Sequence, residues 1–146
     1  MMKLSFAYHL YQLNTVTLDP LAPNAPAITN DSVIIKALAA SGLLTVTGPG
    51  SSLQFETNGI LAINDAQLVI ENGAHLSTIG TPGDMFNQVN MAGTPGSVTS
   101  VQVTGNGTRW DANGAVIVGY TGQGTLTIAD GAVATAAGGT IGATSN

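Results

Sequence analysis

Residues 46–53 read Val-Thr-Gly-Pro-Gly-Ser-Ser-Leu, and residues 103–110 read Val-Thr-Gly-Asn-Gly-Thr-Arg-Trp. Each copy is followed by similar segments in the same order: 58–63 matches 113–118, 68–74 matches 126–132, and 79–80 matches 141–142. Repetition at a long period is typical of stacked structural units. Such a stack offers long side walls and rarely needs one deep catalytic pocket, so the repeat also bears on function.

Short alternating segments separated by glycine predict the secondary structure. Residues 44–46, 101–103 and 126–128 each place Thr or Gln between apolar residues, and 68–70 read Leu-Val-Ile; such short segments are typical of strands with one buried face. Asn-Gly and Asp-Gly pairs supply corners but also signal hairpins, so an antiparallel meander is the alternative. The ordered displacement of 57 residues, as from Val46 to Val103, favours a solenoid. A coil of about 20 residues would place about three coils in each repeat.

The amino-terminal part does not share the repeat. We divide the chain into a non-repeat segment at 1–42 and a β-helix at 43–146, with imperfect repeats at 43–80 and 98–146 joined by a Gly/Pro-rich linker at 81–97. The linker contains four larger apolar residues, for which a surface flap and packing back on the stack are the two interpretations: Met85, Phe86, Val89 and Met91.

A capping element is predicted before the first repeat. Residues 32–40 follow helix-capping side chains and precede Gly42, a pattern that predicts a short helix covering the open end of the stack. The alternative is a further strand at residues 33–35, which read Val-Ile-Ile. Three prolines at positions 20, 23 and 26 keep the preceding chain extended.

Composition excludes several classes of function. Only 8% of residues are charged and the net charge is −5, so the chain lacks the clustered Lys and Arg that bind nucleic acid or anionic membranes. It contains no cysteine, which excludes disulfides and thiolate metal sites. We expect no membrane insertion, because no apolar run approaches the roughly 18 residues of a membrane helix. Polar residues at 8, 9, 11 and 12 interrupt the apolar core that a signal peptide would need.

The second copy resembles a known family. Residues 101–110, 115–119, 122–131 and 141–142 are similar to the passenger repeats of bacterial autotransporters, whose pattern runs VTVTGxGSxW, LxVG, GxGTLTIxDGG and IG. The resemblance is loose over residues 43–80, where Asp65-Ala66-Gln67 replaces the family's Gly-x-Gly. It implies a right-handed parallel β-helix, exported by a C-terminal β-barrel translocator and displayed at the cell surface, often in adhesion.

Two rows of carboxylates represent the enzymatic alternative, because many parallel β-helices cleave polysaccharides with converging acids and bases. Glu71 and Asp130 form one candidate row, and Glu56 and Asp111 form the other. Both rows are expected at glycine turns, where acidic and amide side chains commonly bond their own backbone. We therefore predict no catalytic residue and no cofactor or metal site. His75 has no partner suggested by spacing, and neither it nor His9 indicates a catalytic triad.

Two aromatic residues are candidates for glycan contact. Phe55 and Trp110 occupy matched places in the two copies and would stack on sugar rings if exposed. The alternative is that both fill the core.

The resulting hypothesis is a non-catalytic, structural and adhesive segment of a surface-exposed autotransporter passenger β-helix. Its expected partners are a host or cell-surface glycan or protein and the translocator barrel, with the outer membrane or cell surface as location. The alternatives are a glycan-active or glycan-binding β-helix using Glu71, Asp111 or Asp130, and a truncated fragment without function.

Overall fold

The computed structural model describes residues 10–11, 15–18, 27–29, 33–36, 42–56, 60–79 and 88–142, with side chains at 43–53, 62–78 and 88–142. All regular structure in these residues is β-strand. No helix in the described ranges is long and apolar enough to cross a membrane.

Sixteen strands are present in the described residues. They are β1 (Leu10–Tyr11), β2 (Thr15–Leu18), β3 (Ala27–Thr29), β4 (Val33–Lys36), β5 (Gly42–Thr47), β6 (Ser52–Glu56), β7 (Ile60–Asn64), β8 (Ala66–Glu71), β9 (His75–Ile79), β10 (Gln88–Met91), β11 (Val98–Thr104), β12 (Arg109–Ala112), β13 (Ala115–Val118), β14 (Gln123–Ala129), β15 (Val133–Thr135) and β16 (Gly138–Ile141).

The strands build three parallel sheets. Sheet A has the order β1-β4-β7-β10-β13-β16, sheet B the order β2-β5-β8-β11-β14, and sheet C the order β3-β6-β9-β12-β15. From β2 onward the chain visits B, C and A in turn, then returns to B one rung further along. This topology confirms the prediction of an all-β parallel β-helix. We number its coils by their strands: coil 1 is β2–β4, coil 2 is β5–β7, coil 3 is β8–β10, coil 4 is β11–β13 and coil 5 is β14–β16.

The core is built from side chains that stack in rows along the helix axis. In sheet B, Leu44 pairs in register with Leu68, Leu68 with Val101, and Val101 with Leu126. Leu68 and Val101 are completely buried. Their neighbours in sequence face outward, because successive residues of a strand point to opposite faces. The predicted alternation therefore determines which residues enter the core.

The repeat unit is two coils, and the expectation of three coils of about 20 residues is wrong. Val46 pairs with Ile70, and Ile70 pairs with Val103, so only one coil lies between the two matched valines. The intervening coil contains residues 68–74, and its turn differs from the one at residues 48–51, so the sequence repeats only after two coils.

Turns of two kinds alternate between sheets B and C. Four-residue turns at 48–51 and 105–108 follow β5 and β11, whereas three-residue turns at 72–74 and 130–132 follow β8 and β14. Adjacent turns are hydrogen-bonded: Gly48 N donates to Glu71 O at 3.2 Å, and Gly73 N donates to the Thr108 hydroxyl at 2.9 Å. A long turn therefore stacks on a short one, which explains why the sequence repeats every second coil.

The predicted capping helix is wrong where the structure describes that segment. Residues 33–36 form strand β4, which lies between β1 and β7 in sheet A, and Val33 pairs with Leu61. Three consecutive β-branched residues suit a pleated strand and lose side-chain freedom in a helix, so the strand alternative holds. Residues 37–41 lie outside the described residues.

Strands also occur in the segments assigned to the non-repeat region and to the linker. Strands β1–β4 extend the same three sheets as the repeats. Strand β10 lies inside 81–97, and its Val89 and Met91 are buried in the core. Met85 and Phe86 fall outside the described residues.

Candidate functional site

The outer face of sheet C carries two parallel rows of mostly polar side chains. Ser52, His75, Arg109 and Val133 are paired in register in one row. Ser77, Asp111 and Thr135 are paired in the second row. Adjacent strands in a sheet lie about 4.8 Å apart, so side chains of one row reach their neighbours on the next coil.

Asp111 is the centre of a four-residue cluster on this face, which we call the Asp111 cluster: His75, Arg109, Asp111 and Thr135. One carboxylate oxygen, Oδ2, accepts a hydrogen bond from Arg109 Nε and lies 2.9 Å from His75 Nε2. The other oxygen, Oδ1, accepts a hydrogen bond from the Thr135 hydroxyl at 2.5 Å. Three coils thus contribute to one site, because His75 belongs to coil 3, Arg109 and Asp111 to coil 4, and Thr135 to coil 5.

The cluster favours an ionised Asp111. The hydrogen bond from Arg109 is the main cause that lowers the pKa of Asp111 from 3.8 to about 2, and the bonds from Thr135 and His75 act in the same direction. Partial burial opposes them. The carboxylate in turn raises the pKa of Arg109. The side chains of His75 and Arg109 are 44% and 54% exposed, so both remain accessible to a ligand from solvent.

The cluster contains a histidine held by a carboxylate, which is one part of a catalytic triad. A triad also needs a nucleophile hydrogen-bonded to the imidazole. Ser52 is paired with His75 in register and Ser77 lies two residues beyond it, yet neither serine donates to the ring within the described residues. The arrangement can therefore hold charge and bind polar groups, but it lacks an assembled nucleophile.

The predicted rows of carboxylates are not formed as expected. Glu56 pairs with Ile79, whereas Asp111 pairs with Ser77, so Glu56 and Asp111 do not share a row. Asp111 also lies within β12 rather than in a glycine turn, because β12 extends to Ala112. Glu71 is the last residue of β8, which belongs to sheet B, so it does not join the Asp111 cluster.

Asp130 lies in a turn as predicted, but its side chain contacts another side chain rather than its own backbone. It adopts a positive φ of 54°, and its Oδ2 accepts a hydrogen bond from the Thr104 hydroxyl at 2.8 Å. Asn72 occupies the equivalent turn of coil 3, with φ 55°, and its amide donates to the Thr47 hydroxyl at 3.0 Å. The same contact between side chains thus recurs two coils apart and stabilises the corner.

Trp110 is a core residue, with 1% of its surface exposed. It pairs in register with Leu76, and Leu76 pairs with Leu53, so Leu53 rather than Phe55 is its counterpart in coil 2. Phe55 pairs with Thr78, in a different row. Trp110 therefore offers no ring face to a sugar. The side chain of Phe55 lies outside the described side chains.

Sheet B presents an outer surface whose only acidic side chain in the described residues is Glu71, at the end of β8. We call the uncharged part of this surface the sheet B wall. It is formed by Thr45, Gln67, Val69, Ser100, Gln102, Thr125 and Thr127. Gln67, Gln102, Thr125 and Thr127 are exposed, and the other three are partly exposed. The wall therefore repeats hydroxyl and amide groups at the coil spacing.

Sequence reasoning did not identify His75 and Arg109 as partners of Asp111. His75 and Asp111 are 36 residues apart, and their contact depends on a register between coils that only the paired strands reveal. Arg109 and Asp111 are two positions apart in the sequence, the spacing that brings side chains to one face of a strand. That spacing was the available signal. Among the described residues, no group of three or more His, Asp or Glu side chains is placed to hold a metal ion.

Comparisons of this chain with protein-family models, with curated proteins and with solved structures found no match.

Proposed function

We propose that this chain is a rigid, non-catalytic segment of a surface-displayed β-helix of the autotransporter passenger kind, and that its outer sheet faces serve in adhesion. The observation that carries the proposal is the sheet B wall, an array of uncharged and mostly polar side chains on a stack of parallel coils. Many weak hydrogen bonds along such a frame add up, because a rigid surface loses little conformational entropy on binding.

The rigidity of the frame supports a role as a spacer. Core rows run through coils 2 to 5, and hydrogen bonds between long and short turns connect coils 2 to 4, including His75 N to Ser51 O at 2.9 Å. In a stack of this kind each unit contacts only its neighbours, and length is gained without a new core. A spacer of this design would carry the adhesive face away from the cell.

Asp111 and Asp130 already accept hydrogen bonds from other side chains of the protein, which favours a binding role over a catalytic one. Asp111 is neutralised by Arg109, and Asp130 accepts from Thr104 at a corner between sheets B and C. Glycoside hydrolysis needs two carboxyl groups facing one bond at a defined separation. Asp111 lies on sheet C, Glu71 on sheet B and Asp130 in a turn, an arrangement that does not favour such a pair.

Cell fractionation tests the location. A bacterium carrying the full-length gene is separated into cytoplasmic, periplasmic, outer-membrane and medium fractions, and the chain is detected by antibody. We expect it in the outer membrane or the medium, together with a translocator barrel. Detection only in the cytoplasm would overturn the proposal.

A binding assay tests the adhesive wall. Cells displaying the protein are compared with cells displaying the variant Thr45→Ala/Gln102→Ala/Thr127→Ala, on surfaces coated with host glycans or proteins. Adhesion should fall in the wall variant and remain in the control Asn106→Ala, which changes an exposed turn residue. Equal adhesion at equal display levels would contradict the adhesive role of the wall.

A further inference from the structure

Arg109 is an isolated cation on an acidic protein. The sequence contains three Lys or Arg residues, and Arg109 is the only one after Lys36. Its guanidinium is held by Asp111 through Nε, and its side chain is 54% exposed. A guanidinium has five N–H donors, and among the described residues Asp111 is the only acceptor of a hydrogen bond from Arg109. Four donors on the two Nη groups are therefore available to a ligand.

We infer that the Asp111 cluster binds the carboxylate of an acidic sugar, with Arg109 as the group that contacts it. The planar fork of a guanidinium matches the two oxygens of a carboxylate, and such paired charge-assisted bonds are stronger than bonds between neutral groups. This inference deepens the proposed function and rests on it, because it requires the sheet faces to be open to ligands.

Asp111 acts as a positioning residue for Arg109. A free arginine side chain on a surface loses much rotamer entropy when it is immobilised by a ligand. The bond from Nε to Oδ2 fixes the guanidinium in advance, and the bond from Thr135 to Oδ1 fixes the carboxylate. The Arg109 side chain therefore loses its rotamer entropy on folding, and this loss does not oppose binding of the ligand. The carboxylate also cancels the charge of Arg109, so we expect weak binding, with a Kd on the order of 1 mM.

The surroundings of Arg109 favour a sugar as the carrier of the carboxylate. Val133 is its neighbour in the row and is 49% exposed, which gives an apolar patch for the face of a pyranose ring. Ser52 and Ser77 are on the same outer face and can bond to sugar hydroxyls. The coil spacing of about 4.8 Å is comparable to the length of one hexose residue, so a linear chain can follow the rows.

The experiment titrates trigalacturonate into the purified, ¹⁵N-labelled chain and follows backbone amides and Arg Nε–H signals by NMR. Neutral galactotriose and a sulfated galactotriose are the comparison probes. We expect shifts centred on residues 75, 109, 111 and 135 for trigalacturonate, weakening as salt is raised. Galactotriose should leave these signals unchanged. The sulfated sugar should cause smaller shifts, because sulfate spreads the same charge over more oxygens.

Variants of Arg109 distinguish paired hydrogen bonding by its planar guanidinium from attraction by its positive charge alone. Arg109→Lys keeps the charge but loses the paired bonds, so its affinity should fall about tenfold. Arg109→Ala should abolish the response, and Asn106→Ala should retain it. Circular dichroism and the amide spectrum establish that each variant is folded.

Four results would overturn the inference. The first is an absence of shifts with trigalacturonate at tens of millimolar, and the second is an equal response to the neutral sugar. The third is wild-type affinity in Arg109→Lys, and the fourth is a stronger response to the sulfated sugar. Either would contradict paired hydrogen bonding between the Arg109 guanidinium and a carboxylate. These failures are distinct from failure of the proposed function, which depends on cell fractionation and on the sheet B wall.

Discussion

Asp111 illustrates how a residue on a β-helix obtains its environment from other coils. Its own strand supplies Arg109, the coil before supplies His75, and the coil after supplies Thr135. The hydrogen bonds of the Asp111 carboxylate therefore depend on the register of three coils. Its titration is a measure of whether those coils are stacked as described.

The stability of the protein should depend on pH through Asp111. Its folded-state pKa of about 2 is below its ordinary value of 3.8, so the ionised form is favoured by folding. The contribution is fully present above the unfolded value and is lost as pH falls from near 4 towards 2. We expect the free energy of unfolding of the wild type to fall in this window by more than that of Asp111→Asn, as measured by urea denaturation at each pH.

The Asn variant provides the reference because it keeps an acceptor oxygen but does not titrate. The difference in stability between the wild type and Asp111→Asn should shrink as the solution is acidified. A difference that stays constant or grows between pH 4 and pH 2 would show that the Asp111 cluster does not form.

At the scale of elements, the turns between sheets B and C determine how coils fit together. Thr108 is 1% exposed, and its hydroxyl accepts from Gly73 N of the preceding coil. Gly105 belongs to the same long turn and approaches coil 3 closely: a Cβ there would lie 3.3 Å from Asn72 N, and its φ is +94°. The long turn therefore requires both a hydroxyl and a glycine.

Loss of the Thr108 hydroxyl should destabilise the protein. Thr108→Val removes the acceptor of Gly73 N at nearly constant volume and leaves a donor without a partner, which costs about 1 to 3 kcal/mol. Thr108→Ser keeps the hydroxyl and copies Ser51 of the other long turn, so it should cost less than Val. Urea unfolding measures both variants. If they were equally stable, the bond between turns would contribute nothing.

Two glycines of coil 5 provide a second test of local packing. A Cβ on Gly124 would lie 3.0 Å from Val118 Cγ1 and closer still to the Gly119 backbone nitrogen, so Gly124→Ala should destabilise by about 1 to 3 kcal/mol. Gly138 has open space around its Cβ position, and Gly138→Ala should be tolerated. The melting temperatures followed by circular dichroism should differ accordingly. Similar melting temperatures would contradict the close approach at Gly124.

The strands were predictable from sequence, whereas the alternation of turns was not. Val46 and Val103 were correctly identified as equivalent, because the same apolar and glycine pattern surrounds both. Residues 68–74 of coil 3 were correctly matched to 126–132, but the number of coils in each repeat was predicted wrongly, because the three-residue turn of coil 3 does not resemble the four-residue turn of coil 2. Residues 33–36 were ambiguous because a short apolar run fits a helix or a strand until its pairing partner is known.

For the whole molecule, burial depends on position along the stack. Leu68 and Leu126 occupy the same row of sheet B, but Leu68 is completely buried and Leu126 is only partly buried. In the described residues, β8 has a neighbouring strand on each side, whereas β14 pairs with β11 alone. A leucine in the same row thus contributes differently to stability in coil 3 and in coil 5.

Truncation of these two leucines should measure that difference. Leu68→Ala creates a cavity enclosed on all sides and should cost about 2 to 5 kcal/mol, whereas Leu126→Ala should cost about 1 to 2 kcal/mol. Equilibrium urea denaturation gives both values. Equal losses would mean that coil 5 is covered as completely as coil 3.

The candidate site was less predictable than the fold because it depends on contacts between coils. Asp111 was selected from sequence for a different reason, as a turn residue in a row with Glu56. Paired positions are further apart in sequence across coil 3, from Leu68 to Val101, than across coil 4, from Val101 to Leu126, so spacing in the sequence does not reveal that His75 lies beside Asp111. Trp110 lost its suggested role for a related reason, since only the register places it in line with Leu76.

The alternation of long and short turns has a consequence for how such a protein changes length. Deletion or duplication of a single coil would place two long turns or two short turns together, and the hydroxyl that accepts from Gly73 N would then have no counterpart. Insertion or removal of a pair of coils keeps every junction as it is. Genes that encode this architecture should therefore gain and lose segments in pairs of coils, and designers who extend it should add two coils at a time.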